Sequence, residues 1–119
     1  MRGILLGLLA SACVAGSAMA ADFASSYAVA GSSPGGGGAY KGKVSVKRTG
    51  DGVYQVVWTI GGDKFVGTGI GGPEGLAVGY KSGSDTGIAI YRVTPGGEVE
   101  GVWTYQGGTQ IGKENWTPN

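Results

Sequence analysis

The chain has 119 residues, of which 27 are glycine and only 14% are charged, with nine basic against eight acidic side chains and no histidine. Near-neutral charge gives no electrostatic pull toward nucleic acid or anionic membrane, so neither is an expected partner. Without histidine the commonest metal ligand and general base is missing.

Arg2, the apolar run 4–15 and Ala18-Met19-Ala20 read as a signal peptide over residues 1–20, cleaved before Ala21-Asp22. The apolar run is shorter than the roughly 20 residues a membrane span needs. Cys13 follows Ala10-Ser11-Ala12, the place a lipid anchor would use. Ala10 stands where such signals usually carry Leu, so cleavage rather than lipid anchoring at Cys13 is expected. Cleavage removes Arg2 and Cys13, the only cysteine, which leaves eight basic against eight acidic residues and no thiol or disulfide. The expected location is the periplasm or the cell exterior, with no membrane span in the mature chain. Low charge combined with clear alternation argues for a folded single domain rather than disorder.

Residues 21–39 offer a short first strand, with Tyr27 and Val29 on one face, and a flexible Gly-rich linker at Ser32–Gly38. No Lys-Ser/Thr follows the glycine run and no helix opens after it, which excludes a phosphate loop. Residues 40–119 then read as a β-meander that completes the same domain. Tyr40–Arg48 alternates sharply, with Lys41, Lys43 and Lys47 on the outer side. A loop at Thr49-Gly50-Asp51 sets Val46 opposite Tyr54, Val44 opposite Val56 and Gly42 opposite Trp58. The next hairpin turns on Gly61-Gly62, where both glycines are expected at positive φ. It pairs Ile60 with Asp63, Trp58 with Phe65, Val56 with Gly67 and Tyr54 with Gly69.

Gly71-Gly72-Pro73-Glu74 turns the chain again, setting Leu76, Val78 and Tyr80 opposite Gly69, Gly67 and Phe65. The turn at 82–85 pairs Leu76 with Tyr91 and Val78 with Ala89. Pro95-Gly96-Gly97 pairs Val93 with Val99, Tyr91 with Gly101 and Ala89 with Trp103, and it sets Arg92 against Glu100 on the outer face. A last loop at Gln106–Thr109 places Trp103 over Gly112, Val99 near Trp116, and Glu114 inward opposite Gly101. A slip of one residue in that strand would expose Glu114 instead. Eight candidate strands with short connections predict an all-β, antiparallel up-and-down meander that closes into a small barrel. An open curved sheet or a two-sheet sandwich is the alternative.

The inner face carries Tyr40, Tyr54, Trp58, Phe65, Tyr80, Tyr91, Trp103 and Trp116. These rings either fill the barrel or line a cavity for a small apolar or aromatic ligand. On the second reading the ligand-binding residues are Tyr54, Trp58, Tyr91, Trp103 and Glu114. An inward Glu114 needs a partner: a tyrosine hydroxyl, Lys113 or a polar group of the ligand. No catalytic residue is assigned, since Ser-His-Asp and Cys-His sets cannot be built from the mature chain. Glu98 and Glu100 share an outer strand face beside Arg92 instead of flanking a cleft. No calcium-loop spacing is present, and neither metal nor cofactor is expected. The rival is an adhesion or protein-interaction module that uses the lysine stripe or an exposed edge strand.

The pattern Tyr27-x-Val29-x-Gly31-x-x-Pro34-x-Gly36, Tyr40-x-Gly42-x-Val44, Tyr54-x-Val56-x-Trp58, Gly67-x-Gly69-Ile70, Gly101-x-Trp103 and Glu114-x-Trp116 resembles a family of small secreted bacterial all-β proteins. That family is mostly uncharacterised, and some members are labelled fibronectin-binding. The likeness covers nearly all of the mature chain. Its motifs are structural, and the label implies surface adhesion or binding to an extracellular protein.

Overall fold

The structure, a computed structural model, describes residues 22–119. The expected signal peptide over residues 1–20, with Cys13 and the expected cleavage before Ala21, lies outside the described residues. Eight strands follow one another: β1 (Ser26–Ser32), β2 (Ala39–Gly50), β3 (Val53–Ile60), β4 (Asp63–Gly72), β5 (Gly75–Ser82), β6 (Asp85–Val93), β7 (Val99–Tyr105) and β8 (Gly112–Pro118). Each pairs antiparallel with its successor, and β8 returns to pair with β1, which closes the barrel. The sandwich and the open sheet are thereby excluded. So is the free edge strand that strand addition would need, because closure leaves every strand paired on both sides.

Period-two alternation decides which side chains are inside. Val44, Val46, Val56, Leu76, Val78, Ala89 and Val99 point inward and are buried, whereas Lys41, Lys43 and Lys47 are exposed on β2. Arg92 and Glu100 form the expected outer ion pair. The Gly-rich segment forms a hairpin loop between β1 and β2. Ser33 N–H donates to the Gly38 carbonyl at 3.0 Å, and Gly37 N–H donates to that of Ser33 at 3.2 Å.

Hairpins β3–β4, β6–β7 and β7–β8, and the β5–β6 pairing, have the expected registers. Two others are displaced by two residues, so partners change while faces do not. In β2–β3 the turn is Asp51-Gly52, with Gly52 at φ 71° and a bulge between Arg48 and Gly50. Val46 therefore faces Val56 and Val44 faces Trp58. A Cβ on Gly42 would meet the Thr59 carbonyl and Ile60, not Trp58. In β4–β5, Gly71 and Gly72 extend the strand and Pro73-Glu74 alone makes the turn, so Tyr80 faces Gly67 and Val78 faces Gly69. The Gly61-Gly62 turn differs in a smaller way: only Gly61 has positive φ, 63°, as a turn of the II′ kind requires.

The two ends of the barrel are packed differently. At the end carrying the Asp51-Gly52 and Pro73-Glu74 turns, residues before β1 fold over the opening. The Phe23 ring meets Tyr54 edge-on at 5.2 Å, and the Ala24 N–H donates to the Tyr27 hydroxyl at 2.7 Å. Above this plug lies a layer of small aliphatic side chains, with Leu76, Val56 and Val99 at 0% exposure. The opposite end holds most of the large rings, and there the interior is not filled.

Candidate functional site: a ring-lined cavity over a buried carboxylate

Glu114 points inward from β8 and is 5% exposed. It occupies a register row that runs across five strands: Tyr40 on β2, Gly31 on β1, Glu114 on β8, Gly101 on β7 and Tyr91 on β6. Each tyrosine is thus two strands from the carboxylate, roughly 10 Å between backbones at about 4.8 Å per strand. Each reaches it across a glycine. A Cβ on Gly31 would stand 2.5 Å from the Tyr40 ring and 2.7 Å from the Lys113 carbonyl, and one on Gly101 would overlap the Tyr91 ring. Glycine at these two positions is what lets the phenols lie flat against the wall.

Four donors converge on this carboxylate. Tyr91 Oη donates to Oε1 at 2.8 Å, Trp116 Nε1 at 2.9 Å and Trp58 Nε1 at 3.2 Å. Tyr40 Oη donates to Oε2 at 2.6 Å. The partner needed by an inward Glu114 is therefore a set of ring N–H and O–H groups, and Lys113 is not among them. Magnitudes show why no cation is required for folding. Burying a carboxylate costs several kcal/mol after relaxation. Hydrogen bonds to a charged group contribute about 1.5–3 kcal/mol each, so four of them offset that cost.

Burial raises the phenol pKa values, and the Glu114 charge adds to the effect. Tyr91 lies well above the ordinary tyrosine range, first through desolvation and then through Glu114. Tyr40 moves in the same direction by desolvation, the Glu114 charge and the hydrogen bond to it, opposed weakly by the Trp103 indole. Tyr80 is pushed up to about 12 by burial, then by Glu114 and Asp85. At neutral pH all three are donors, not bases.

Beside Glu114 lies a cavity of about 270 Å³. Its walls are Tyr40, Trp58, Phe65, Tyr80, Tyr91 and Trp103, with Glu114 at the floor and Ser33, Ile60 and Asp63 nearer the strand ends. Tyr80 sits edge-on to three of these rings, at 5.8 Å from Trp58, 6.2 Å from Phe65 and 6.3 Å from Trp103. Phe65, Tyr80 and Trp103 also border an outer space of about 660 Å³ that reaches the turns at Ser84 and Gly107. The Trp103 Nε1–H is buried against the strand wall at Gly112, beside the Tyr40 hydroxyl, and makes no hydrogen bond of good geometry.

Of the residues expected to bind a ligand, Trp58, Tyr91, Trp103 and Glu114 meet in this cavity. Tyr54 does not. It lies at the plugged end against Phe23, with its hydroxyl 3.4 Å from Asp22 Oδ1. Tyr40, Phe65 and Tyr80 belong to the site and were recognisable only as inner-face rings, and Trp116 supports it by holding Oε1. Among the described residues no group of three or more His, Cys, Asp and Glu side chains could hold a metal ion, and no helix is long and apolar enough to cross a membrane.

No protein-family model, curated protein or solved structure matches the chain. Fold and site by themselves define its class: a closed eight-stranded up-and-down β-barrel, plugged at one end and hollow at the other, with a hydrogen-bonded carboxylate at the base of the hollow.

Proposed function

We propose that the protein is an exported, non-enzymatic binding domain that holds a small ligand with an aromatic or apolar body inside the barrel. The observation that carries this reading is the unfilled half of the interior. Six aromatic side chains surround about 270 Å³ without packing into it. A barrel built only for stability gains by filling such a space, because voids forfeit contact energy. Apolar walls with a few convergent polar groups are the usual make-up of small-molecule sites.

The test is native mass spectrometry of the protein purified gently from its own host, with denaturing extraction alongside. A small-molecule mass that disappears on denaturation is the expected result. A bare protein mass that stays bare after incubation with the host's small-molecule extract would remove the reading.

The adhesion reading retains one supporting observation, the exposed Lys41, Lys43 and Lys47 on the outer face of β2. On that reading, fibronectin or another extracellular protein binds in a salt-sensitive way, and substitution of the three lysines abolishes binding. Small-ligand binding would be indifferent to those substitutions and sensitive to Trp103→Ala.

A further inference from the structure

We infer that the ligand of this cavity is a small organic ammonium ion: a protonated amine on a frame of about one ring. This rests on the cavity-binding reading above and names its substrate class. The first ground is charge. The ion pairs among the described residues, Arg48–Asp51 and Arg92–Glu100, lie on the outer surface, and Glu114 has no basic partner. Both acidic residues that border the cavity, Asp63 and Glu114, lack a Lys or Arg beside them in its lining. The outer space adds Asp85, again with no basic residue in its border.

The second ground is lone-pair capacity. Oε1 accepts three hydrogen bonds, whereas Oε2 accepts only that of Tyr40. The capacity left on the carboxylate is therefore on Oε2, and only a donor can use it. An anion would meet a carboxylate with no basic side chain beside it, and a neutral body would leave the negative charge uncancelled.

The third ground is size. The volume, about 270 Å³, equals roughly nine waters at about 30 Å³ each, the space of one substituted ring.

The experiment is isothermal titration calorimetry of the exported chain, exhaustively dialysed, against three probes of one shape. These are tyramine as the ammonium ion, p-cresol as the neutral body and 4-hydroxyphenylacetate as the anion. Tyramine is expected to bind at least about tenfold more tightly than p-cresol, the size of one charge-assisted hydrogen bond. The anion is expected not to bind. Glu114→Gln should erase the difference between tyramine and p-cresol, while Trp103→Phe should weaken both and preserve the ratio. If Glu114→Gln does not fold, the three probes on the unaltered protein still decide. Equal binding of tyramine and p-cresol, or preference for the anion, would overturn the ammonium assignment and leave the cavity reading standing. Failure of all three at millimolar concentration would overturn both.

Discussion

Tyr40 and Tyr91 reach the two oxygens of one carboxylate from opposite sides, each crossing a glycine strand to do so. Tyr40 donates to Oε2 of Glu114 and Tyr91 to Oε1, while Gly31 and Gly101 lie beneath the respective phenols. The Tyr–Gly–Glu–Gly–Tyr row joins strands from both halves of the chain and spans the seam where β8 meets β1. The barrel's closure and the geometry of its site are thus one arrangement.

This row makes glycine a packing requirement at Gly31. Ala there would place a Cβ against both the Tyr40 ring and the Lys113 backbone, and backbone cannot yield cheaply. Gly31→Ala is expected to destabilise by about 1–3 kcal/mol, in the range of overpacked interiors. Gly79 is the control: it lies in β5, and nothing stands within 4 Å of where its Cβ would be. Gly79→Ala should change stability by no more than about 0.5 kcal/mol. Urea unfolding midpoints of the two variants check both values.

Removing the carboxylate's charge should cost more than removing one of its donors. Glu114→Gln weakens four charge-assisted bonds and turns an N–H₂ toward groups that themselves donate. The expected loss is about 3 kcal/mol. Tyr40→Phe deletes a single bond to Oε2 and should cost about half of that. Equal losses in chemical denaturation would mean that the carboxylate is not shared among the rings.

Alkaline pH should expose the buried phenols as a loss of stability. Their folded pKa values lie above the unfolded value near 10, so their contribution is complete below about pH 10. As pH rises further the unfolded chain releases protons that the folded chain keeps, and stability falls until the folded groups titrate. The slope expected from Tyr91 alone is about 1.4 kcal/mol per pH unit above pH 10. Denaturant midpoints measured across this range, beside the tyrosinate absorbance of the folded protein, test it. A flat profile from pH 9 to 11 would contradict the burial of these hydroxyls.

The plug should matter for stability and not for the site. Phe23 packs on Tyr54 at the end away from Glu114, so Phe23→Ala is expected to cost about 2–4 kcal/mol through lost burial. The environment of the indoles should stay the same. A variant whose tryptophan fluorescence shifts in the native state would show that the two ends are coupled.

What could be read from the sequence was decided by what alternation and loop length encode. Alternation reports inside or outside, so Tyr54 and Trp58 are both correctly assigned to the inner face. It says nothing of height along the barrel axis, and Tyr54 accordingly falls at the plug rather than in the cavity. Loop length reports register, which is why Glu114 opposite Gly101 and Tyr91 opposite Gly101 follow from counting alone. Counting fails where glycine is ambiguous: Gly71-Gly72 reads as turn but continues the strand, and Asp51-Gly52 was the stronger hairpin signal beside Thr49-Gly50. The part played by Tyr40 depends on the β1–β8 seam. No hairpin loop sets that pairing, so no local signal in the chain announces it.

The most direct test of a hollow, ligand-ready site is the indole N–H region of a ¹H–¹⁵N NMR spectrum. The chain has three tryptophans, all of them at this site, two bonded to Glu114 and one on the cavity wall. Trp58 and Trp116 should give N–H signals protected from solvent exchange before and after addition of the host's small-molecule extract. The Trp103 signal, from a ring on the cavity wall, should shift on that addition. Three signals unmoved by the extract would mean that the barrel interior binds nothing.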